Sequence, residues 1–303
     1  MKNYENAIDN RYEFVLLFDV ENGNPNGDPD AANMPRIDPE TSYGIVTDVC
    51  LKRKIRQYIE IAMEGAAGYN ILVQNDRSLN SVFASAYEAV GNKRNPDDKE
   101  SKDDKKDKDA EKKAQEYICA NYFDVRTFGA VMSTGGNPCG IVRGPVQINF
   151  ARSIDKIYPT EITITRKAVT KTKDMGIKET EMGKKSFVPY GLYRAEGYIS
   201  AMLAQKVTGF SDDDLEVLRQ AIINMFEHDH SAARGKMALR GFYLFKHESV
   251  LGNAPAHVLF DKISVTKTTA DAPRAFKDYA VEIDKEMPEG VTLLDGFTMK
   301  PVQ

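Results

Sequence analysis

The sequence predicts an α+β domain carrying large insertions, and three observations lead there. Strand-like and helix-like segments follow one another as strand, helix, strands, helix, strand. Each helical stretch shows an apolar stripe at helical spacing. A long Asn/Gly/Pro loop and a Lys/Asp tract interrupt the pattern, and no internal repeat is visible. With 303 residues, 42% of them apolar and 9% aromatic, the chain can bury about 75% of its unfolded surface, so its core needs no disulfide or metal staple.

YEFVLLFDV (12–20) is a continuous apolar, β-prone run and reads as a buried first strand. Residues 21–44, ENGNPNGDPDAANMPRIDPETSYG, are too dense in Asn, Gly, Pro and Asp for a helix or central strand. They form a long structured loop, of a kind that in compact domains is usually functional. Thr47 is the expected N-cap of a helix reaching about Glu64. Its apolar face carries Leu51, Ile55, Tyr58, Ile59 and Ala62, and Lys52, Arg53 and Arg56 lie toward the other. Ile71–Gln74 reads as a short strand. From Lys93 to Lys113, nine bases and eight acids surround Ala110, which marks a solvated tract, partly helical or disordered, within a longer insertion over 65–120.

Gly129–Gly144, GAVMSTGGNPCGIVRG, reads as a second glycine-rich loop feeding a strand, PVQINFARS. EITITRKAV and SFVPYGLYRAEGYISAML read as strands flanking TKTKDMGIKETEMGKK, so that 160–190 form a projecting hairpin. Ser211 caps the second helix. Asp212, Asp213 and Asp214 suit its positive end, and Leu215, Leu218, Ile222, Met225 and Phe226 make its buried stripe. LRGFYLFKHES is another strand, and the last forty residues mix short strands with acidic turns.

The net charge is −4, from 41 Lys+Arg and 45 Asp+Glu, so the chain is no generic basic coat for nucleic acid. Its charges are nevertheless segregated. Residues 1–50 carry ten acids and three bases, and LKRKIR (51–56) carries four bases and no acid. Residues 151–186 carry nine bases and five acids, whereas 207–230 carry six acids and Arg219 alone. This suits a protein with one face for phosphate and another for a protein neighbour, although an ordinary surface mosaic would give it too.

Several chemistries find no support. The three cysteines, Cys50, Cys119 and Cys139, have no CxxC spacing, which argues against a disulfide framework and a zinc ribbon. MKNYENAIDNRYEF has no apolar signal-peptide core and no run of eighteen apolar residues occurs, so a soluble, cytoplasmic chain without membrane contact is expected. His228-Asp229-His230 follows the second helix and lacks further ligands, so a helix-end surface pair is expected there. No P-loop, GxGxxG before a helix, G-x-S-x-G or Cys/His nucleophile is present. Asp19, Glu21, Asp28 and Asp30 near the first loop could hold Mg²⁺ for RNA cleavage, but acids among Asn, Gly and Pro more often form turns by bonding nearby amides. No catalytic residue, metal or cofactor is assigned.

What remains is binding. Lys52, Arg53 and Arg56 project from one helix beside two glycine-rich loops, where glycine lets a polynucleotide approach the main chain and exposed amides can hold phosphate oxygens. The lysine-rich hairpin adds cations, with Met175 and Met182 as flexible apolar wedges between bases. A solvated face would explain the helix bases alone; the conjunction of helix, loops and hairpin favours RNA.

FDVENGNPNGDPDAANMPRID through GIVTDVCLKRKIRQY resembles the N-terminal signature of the CRISPR Cascade backbone subunit, the Cas-seven family, most of all its type I-C branch. RTFGAVM, GPVQINFARSIDKIYP and SFVPYGLYRAEGYISA extend the likeness over most of the chain, leaving out 93–113 and the acidic C-terminal segment. The resemblance implies a single RRM-like (ferredoxin-like) palm over 1–303, with insertions forming a web/finger region and a thumb β-hairpin. It implies a non-catalytic subunit of a type I antiviral complex. Copies of it would stack head to tail along the crRNA spacer, present it to target DNA, and contact the handle-end, large and small Cascade subunits. Such a role requires binding without sequence preference, because the spacer varies and base pairing reads the sequence.

By motif, the resemblance makes Thr47, Lys52, Arg53 and Arg56 phosphate contacts at the helix start, with Asn22, Asn24, Asn26 and Arg36 on the loop lining the same groove. It sets Arg126, Arg143, Gln147 and Arg152 along the central groove and Arg166 where its strand enters the thumb. Met175, Lys184 and Lys185 belong to the thumb, with Met175 as the wedge. Two alternatives stay open. Relatives in type III complexes cut target RNA with an aspartate in the loop after the first strand, where Asp28 lies here. A guide-independent RRM-like protein would stack single-stranded RNA on strand aromatics, here Phe14, Phe18, Phe242, Tyr243 and Phe245.

Overall fold

A computed structural model of the chain describes residues 4–92, 104–133, 136–167 and 181–302, without the side chains of 104–107. Its N-terminal half runs β1 (Tyr12–Gly23), β2 (Gly27–Asp28), β3 (Met34–Pro35), β4 (Tyr43–Val46), α1 (Asp48–Ala62), α2 (Leu79–Ala89), α3 (Asp104–Asn121) and α4 (Phe123–Phe128). Then come β5 (Gly129–Met132), β6 (Gly140–Arg143), β7 (Val146–Ile148), β8 (Ala151–Lys156), β9 (Thr160–Arg166) and β10 (Glu181–Ile199). The rest comprises α5 (Ala201–Leu203), α6 (Asp212–Asn224), β11 (Lys236–His247), α7 (Ala256–Phe260), β12 (Ile263–Lys267), β13 (Tyr279–Ile283) and β14 (Val291–Asp295).

β1 is apolar without alternation because it is covered on both faces: every residue from Tyr12 to Val20 is buried. It lies inside an antiparallel sheet ordered β14-β11-β1-β10-β8-β4, with β7 and β9 also pairing with β10. The α+β expectation therefore holds as a mixed architecture built on one large antiparallel sheet. On one face, Leu51, Ile55 and Ile59 of α1 and Leu215, Leu218 and Ile222 of α6 pack on Phe14, Leu16 and Phe18. Both helices start as expected. Thr47 accepts from the Cys50 amide, and Ser211 and Asp214 make a reciprocal capping box. On the other face, Val15, Leu17, Leu192 and Phe245 lie under Leu259, Phe260, Ile263 and Tyr279 of the C-terminal segment.

A third apolar cluster lies in the insertion, where Val82, Phe83 and Tyr87 of α2 meet Ala114 and Ile118 of α3 and Met132 and Val142 of the β5–β6 hairpin. Several expectations are corrected here. Ile71–Gln74 is not a strand; it is a bend held by Asp124, which accepts from the Leu72 and Val73 amides at 2.8 and 3.2 Å. The glycine-rich run 129–144 is a hairpin whose strands pair Gly129 with Arg143 and Met132 with Gly140, not a loop. The end of the charged tract is helical, as the start of α3, which is one of the two states expected for it rather than a correction. PVQINFARS is two strands, broken at Asn149 and Phe150, and the strand through 186–203 ends at Ile199, where Ser200 caps a helical turn. Ala62 is exposed, whereas Lys54 points into the core face of α1.

Candidate nucleic-acid interface

The loop after β1 is held by its own asparagines. Asn24 is buried and donates through Nδ2 to the Asn33 carbonyl at 2.7 Å. Asn26 Oδ1 accepts from both the Thr47 amide (2.9 Å) and the Thr47 hydroxyl (3.0 Å), which fixes the loop to the start of α1. The Arg36 amide donates to the Asn26 carbonyl at 3.1 Å, and the Cys50 thiol donates to the Pro25 carbonyl at 3.4 Å. Two polar atoms of this loop stay buried without a partner, Asn24 Oδ1 and Arg36 Nε. Asn22 is exposed with φ of 52°, a left-handed conformation that asparagine tolerates.

One helical turn on, Lys52 Nζ and the Arg56 guanidinium each lie 5.5 Å from the Phe128 ring centroid, a cation–π geometry. Lys52 also pairs with Asp48 at 2.9 Å, and Arg56 with the buried Asp124 at 2.9 Å. Gln147 Nε2 donates to the Gly144 carbonyl at 3.1 Å, just below the hairpin base where Arg143 stands opposite Gly129. Arg53 and Arg143 are exposed and make no ion pair with a described residue. Arg152 is exposed on β8 beside Ile45 of β4 and reaches Asp38 at 3.3 Å. The amide of Glu40, then the Thr41 side chain, with Arg152 adding, hold the Asp38 carboxyl below the usual range.

The structure thus gathers Asn26, Arg36 and Thr47 at the helix start, and Lys52, Arg56, Arg143 and Gln147 around Phe128 and the hairpin base. Arg126 lies elsewhere. It is buried and all five of its N–H groups are engaged, by both Asp214 oxygens (2.7 and 2.8 Å) and the carbonyls of Cys119, Ala120 and Gly68. Arg166 pairs with Glu181 and Lys184 with Glu161, both across the exposed β9–β10 stem, while Lys185 donates to the Ala232 carbonyl. Met175 lies outside the described residues. Phe128 and Asp124, which orient Lys52 and Arg56, went unnamed from sequence; the aromatic in RTFG was the available signal.

The loop acids have local partners. Asp19 is buried, accepting from the Tyr190 hydroxyl at 2.9 Å and from Arg240 at 2.8 Å; Glu21 pairs with Lys236; Asp28 pairs with Arg36 and accepts from the Asp30 amide. No group of three or more His, Cys, Asp or Glu is placed to hold a metal ion among the described residues. The His228–His230 stretch lies in the turn after α6. Its Asp229 bonds Lys54 and Arg234, and burial pushes the Lys54 ammonium down to about 8. Phe14, Phe18, Phe242 and Phe245 are all buried, so these strands offer none of those rings for base stacking.

The family whose description reads CRISPR-associated protein Cas7 matches residues 10–284. The chain belongs to the Cas7 family. A curated member, CRISPR-associated protein Cas7 of Haloferax volcanii, is 23% identical over 290 residues, covering 90% of this chain and 81% of its own. A chain of a solved "CRISPR RNA-guided surveillance complex, pre-nicking" superposes with a TM-score of 0.48 at 12% identity, covering 78% of each chain. A chain of a Type III-B Cmr-beta complex bound to cognate target RNA superposes with a TM-score of 0.42 at 11% identity, covering 78% of this chain and 61% of that one. No described helix of this Cas7-family chain is long and apolar enough to cross a membrane.

Proposed function

We propose that this Cas7-family chain is the guide-RNA-binding backbone subunit of a type I CRISPR surveillance complex, of the type I-C kind, and cleaves nothing itself. Copies of it bind head to tail along the crRNA spacer, hold it for pairing with target DNA, and contact the handle-end, large and small subunits. The observation that carries this reading is the cationic rim around α1: Lys52 and Arg56 against Phe128, Arg143 exposed at the adjoining hairpin base and Arg53 exposed on the same helix, within a chain that matches the family from 10 to 284.

The strand order supports an RRM-like palm. β11-β1-β10-β8 is the order that a β-α-β-β-α-β unit adopts when β1, α1, β8, β10, α6 and β11 are its six elements and both helices share a face. The β9–β10 stem is the root of the thumb, and the insertion with α2, α3 and β5–β6 is the web. The contacts needed are to phosphate, since guanidinium groups and main-chain amides hold a backbone whatever its bases.

The test is charge reversal at exposed positions. Arg53→Glu with Arg143→Glu is expected to leave thermal stability unchanged and to lower guide-RNA affinity more than tenfold, with a shallower salt dependence. Unchanged affinity at physiological salt would refute the interface.

A further inference from the structure

A second basic pocket, of about 500 Å³, opens at the root of the β9–β10 hairpin. It is lined by Tyr43 and Lys156, which face each other across β4 and β8, by Tyr158 and Asp155, and by Lys267 and Arg274 from the C-terminal segment. Tyr158 is 71% exposed, so its ring is open to a ligand. Lys156, Lys267 and Arg274 are exposed and no side chain of the three forms an ion pair with a described carboxylate; the Lys267 and Arg274 side chains donate to main-chain carbonyls, each at 3.4 Å, and the Arg274 amide donates to the Asp278 carboxylate at 2.8 Å. Asp155 is the one acid in the lining. Against these three cations it leaves the lining with a surplus of positive charge.

The pocket is separate from the rim around α1. Its lining shares no residue with that rim, and it opens at the β4–β8 edge, where Ile157 of the cluster under α1 and α6 meets Tyr190 of the cluster under the C-terminal segment. Two accessible phenol rings beside three unpaired cations match one ligand chemistry well, a flat heteroaromatic base joined to phosphate. The rings stack on any base and the cations hold the backbone on either side.

We propose that this pocket holds a nucleotide of a second single strand, one other than the strand bound at α1, with its base on Tyr158 and its phosphates on Lys156, Lys267 and Arg274. The test uses the full chain, purified with its RNA bound, and a fluorescein-labelled twenty-nucleotide oligodeoxythymidine that cannot pair with that RNA. Anisotropy should report binding. Tyr158→Ala should weaken it about tenfold, and Lys156→Ala with Lys267→Ala and Arg274→Ala should flatten its salt dependence by about 2 in log–log slope. All these side chains are exposed, so thermal melting should be unchanged and retained RNA should stay at the parent level. No binding by the parent protein, or binding unchanged within twofold in both variants, would overturn the proposal. So would loss of the retained RNA from Tyr158→Ala, because the nucleotide would then belong to the first strand.

Discussion

Replacing Arg126 by Met leaves Asp214 buried without its bidentate partner, and the expected cost is about 3–5 kcal/mol in a denaturant titration. Lys54→Met is expected to behave differently. Asp229 keeps Arg234 at 2.9 Å when Lys54 is gone, and an isosteric apolar side chain suits the core face, so stability should change by less than about 1.5 kcal/mol. Arg56 lies between these cases, since its loss leaves Asp124 with only the Leu72 and Val73 amides. For that reason a Lys52, Arg53 and Arg56 triple alanine variant would mix a folding defect with a binding one, and Arg53 is the cleaner probe. From sequence, these basic residues look alike. Helical spacing turned Lys52, Arg53 and Arg56 away from the apolar stripe, but it could not reveal that Asp124, 68 positions further on, folds back onto Arg56.

At the scale of elements, the glycine-rich run was misread for a physical reason. Glycine lowers β propensity, so GAVMSTGGNPCGIVRG scores as a loop, yet here glycine is required by the hairpin itself. Gly129 has φ of 81° and an added Cβ would sit 2.3 Å from the Val142 carbonyl oxygen; at Gly144 it would sit 2.2 Å from the Phe128 carbonyl carbon. Gly129→Ala is expected to destabilise by about 3 kcal/mol and to lower the melting temperature accordingly, with RNA affinity falling because Arg143 is displaced. The apolar signal of α2, Val82-Phe83 then Ala86-Tyr87, was present at helical spacing and Ser78 was there to cap it; neighbouring charge masked it. The packing of this insertion makes its own prediction. Burial pushes the Cys119 and Cys139 thiols up to about 12, so a thiol reagent at pH 8 should modify at most one cysteine in the native protein, Cys50. Rapid modification of two or three would contradict the third apolar cluster.

For the whole molecule, the succession of strands and amphipathic helices was enough to give the class of fold, because α1 and α6 carry a helical period and β1 and β11 are apolar, β-prone runs. That β1 is covered on both faces was legible in its unbroken apolar run, but the segment that covers the second face was not. The C-terminal segment that buries Phe245 consists of short strands with acidic turns, whose apolar residues are too sparse to betray a lid. With those strand aromatics buried, the interface proposed above offers RNA its cations instead. In the proposed head-to-tail assembly, the charge segregation along the chain would let one copy's acidic side meet a neighbour's basic side.

The most direct measurement is to co-express the chain with a CRISPR array and its neighbouring subunits, purify it, and sequence the RNA that it retains. The account predicts a large particle holding RNA of one discrete guide length, intact after magnesium is added. Heterogeneous cellular RNA, or cleavage of an added complementary RNA that Asp28→Ala abolishes, would contradict it.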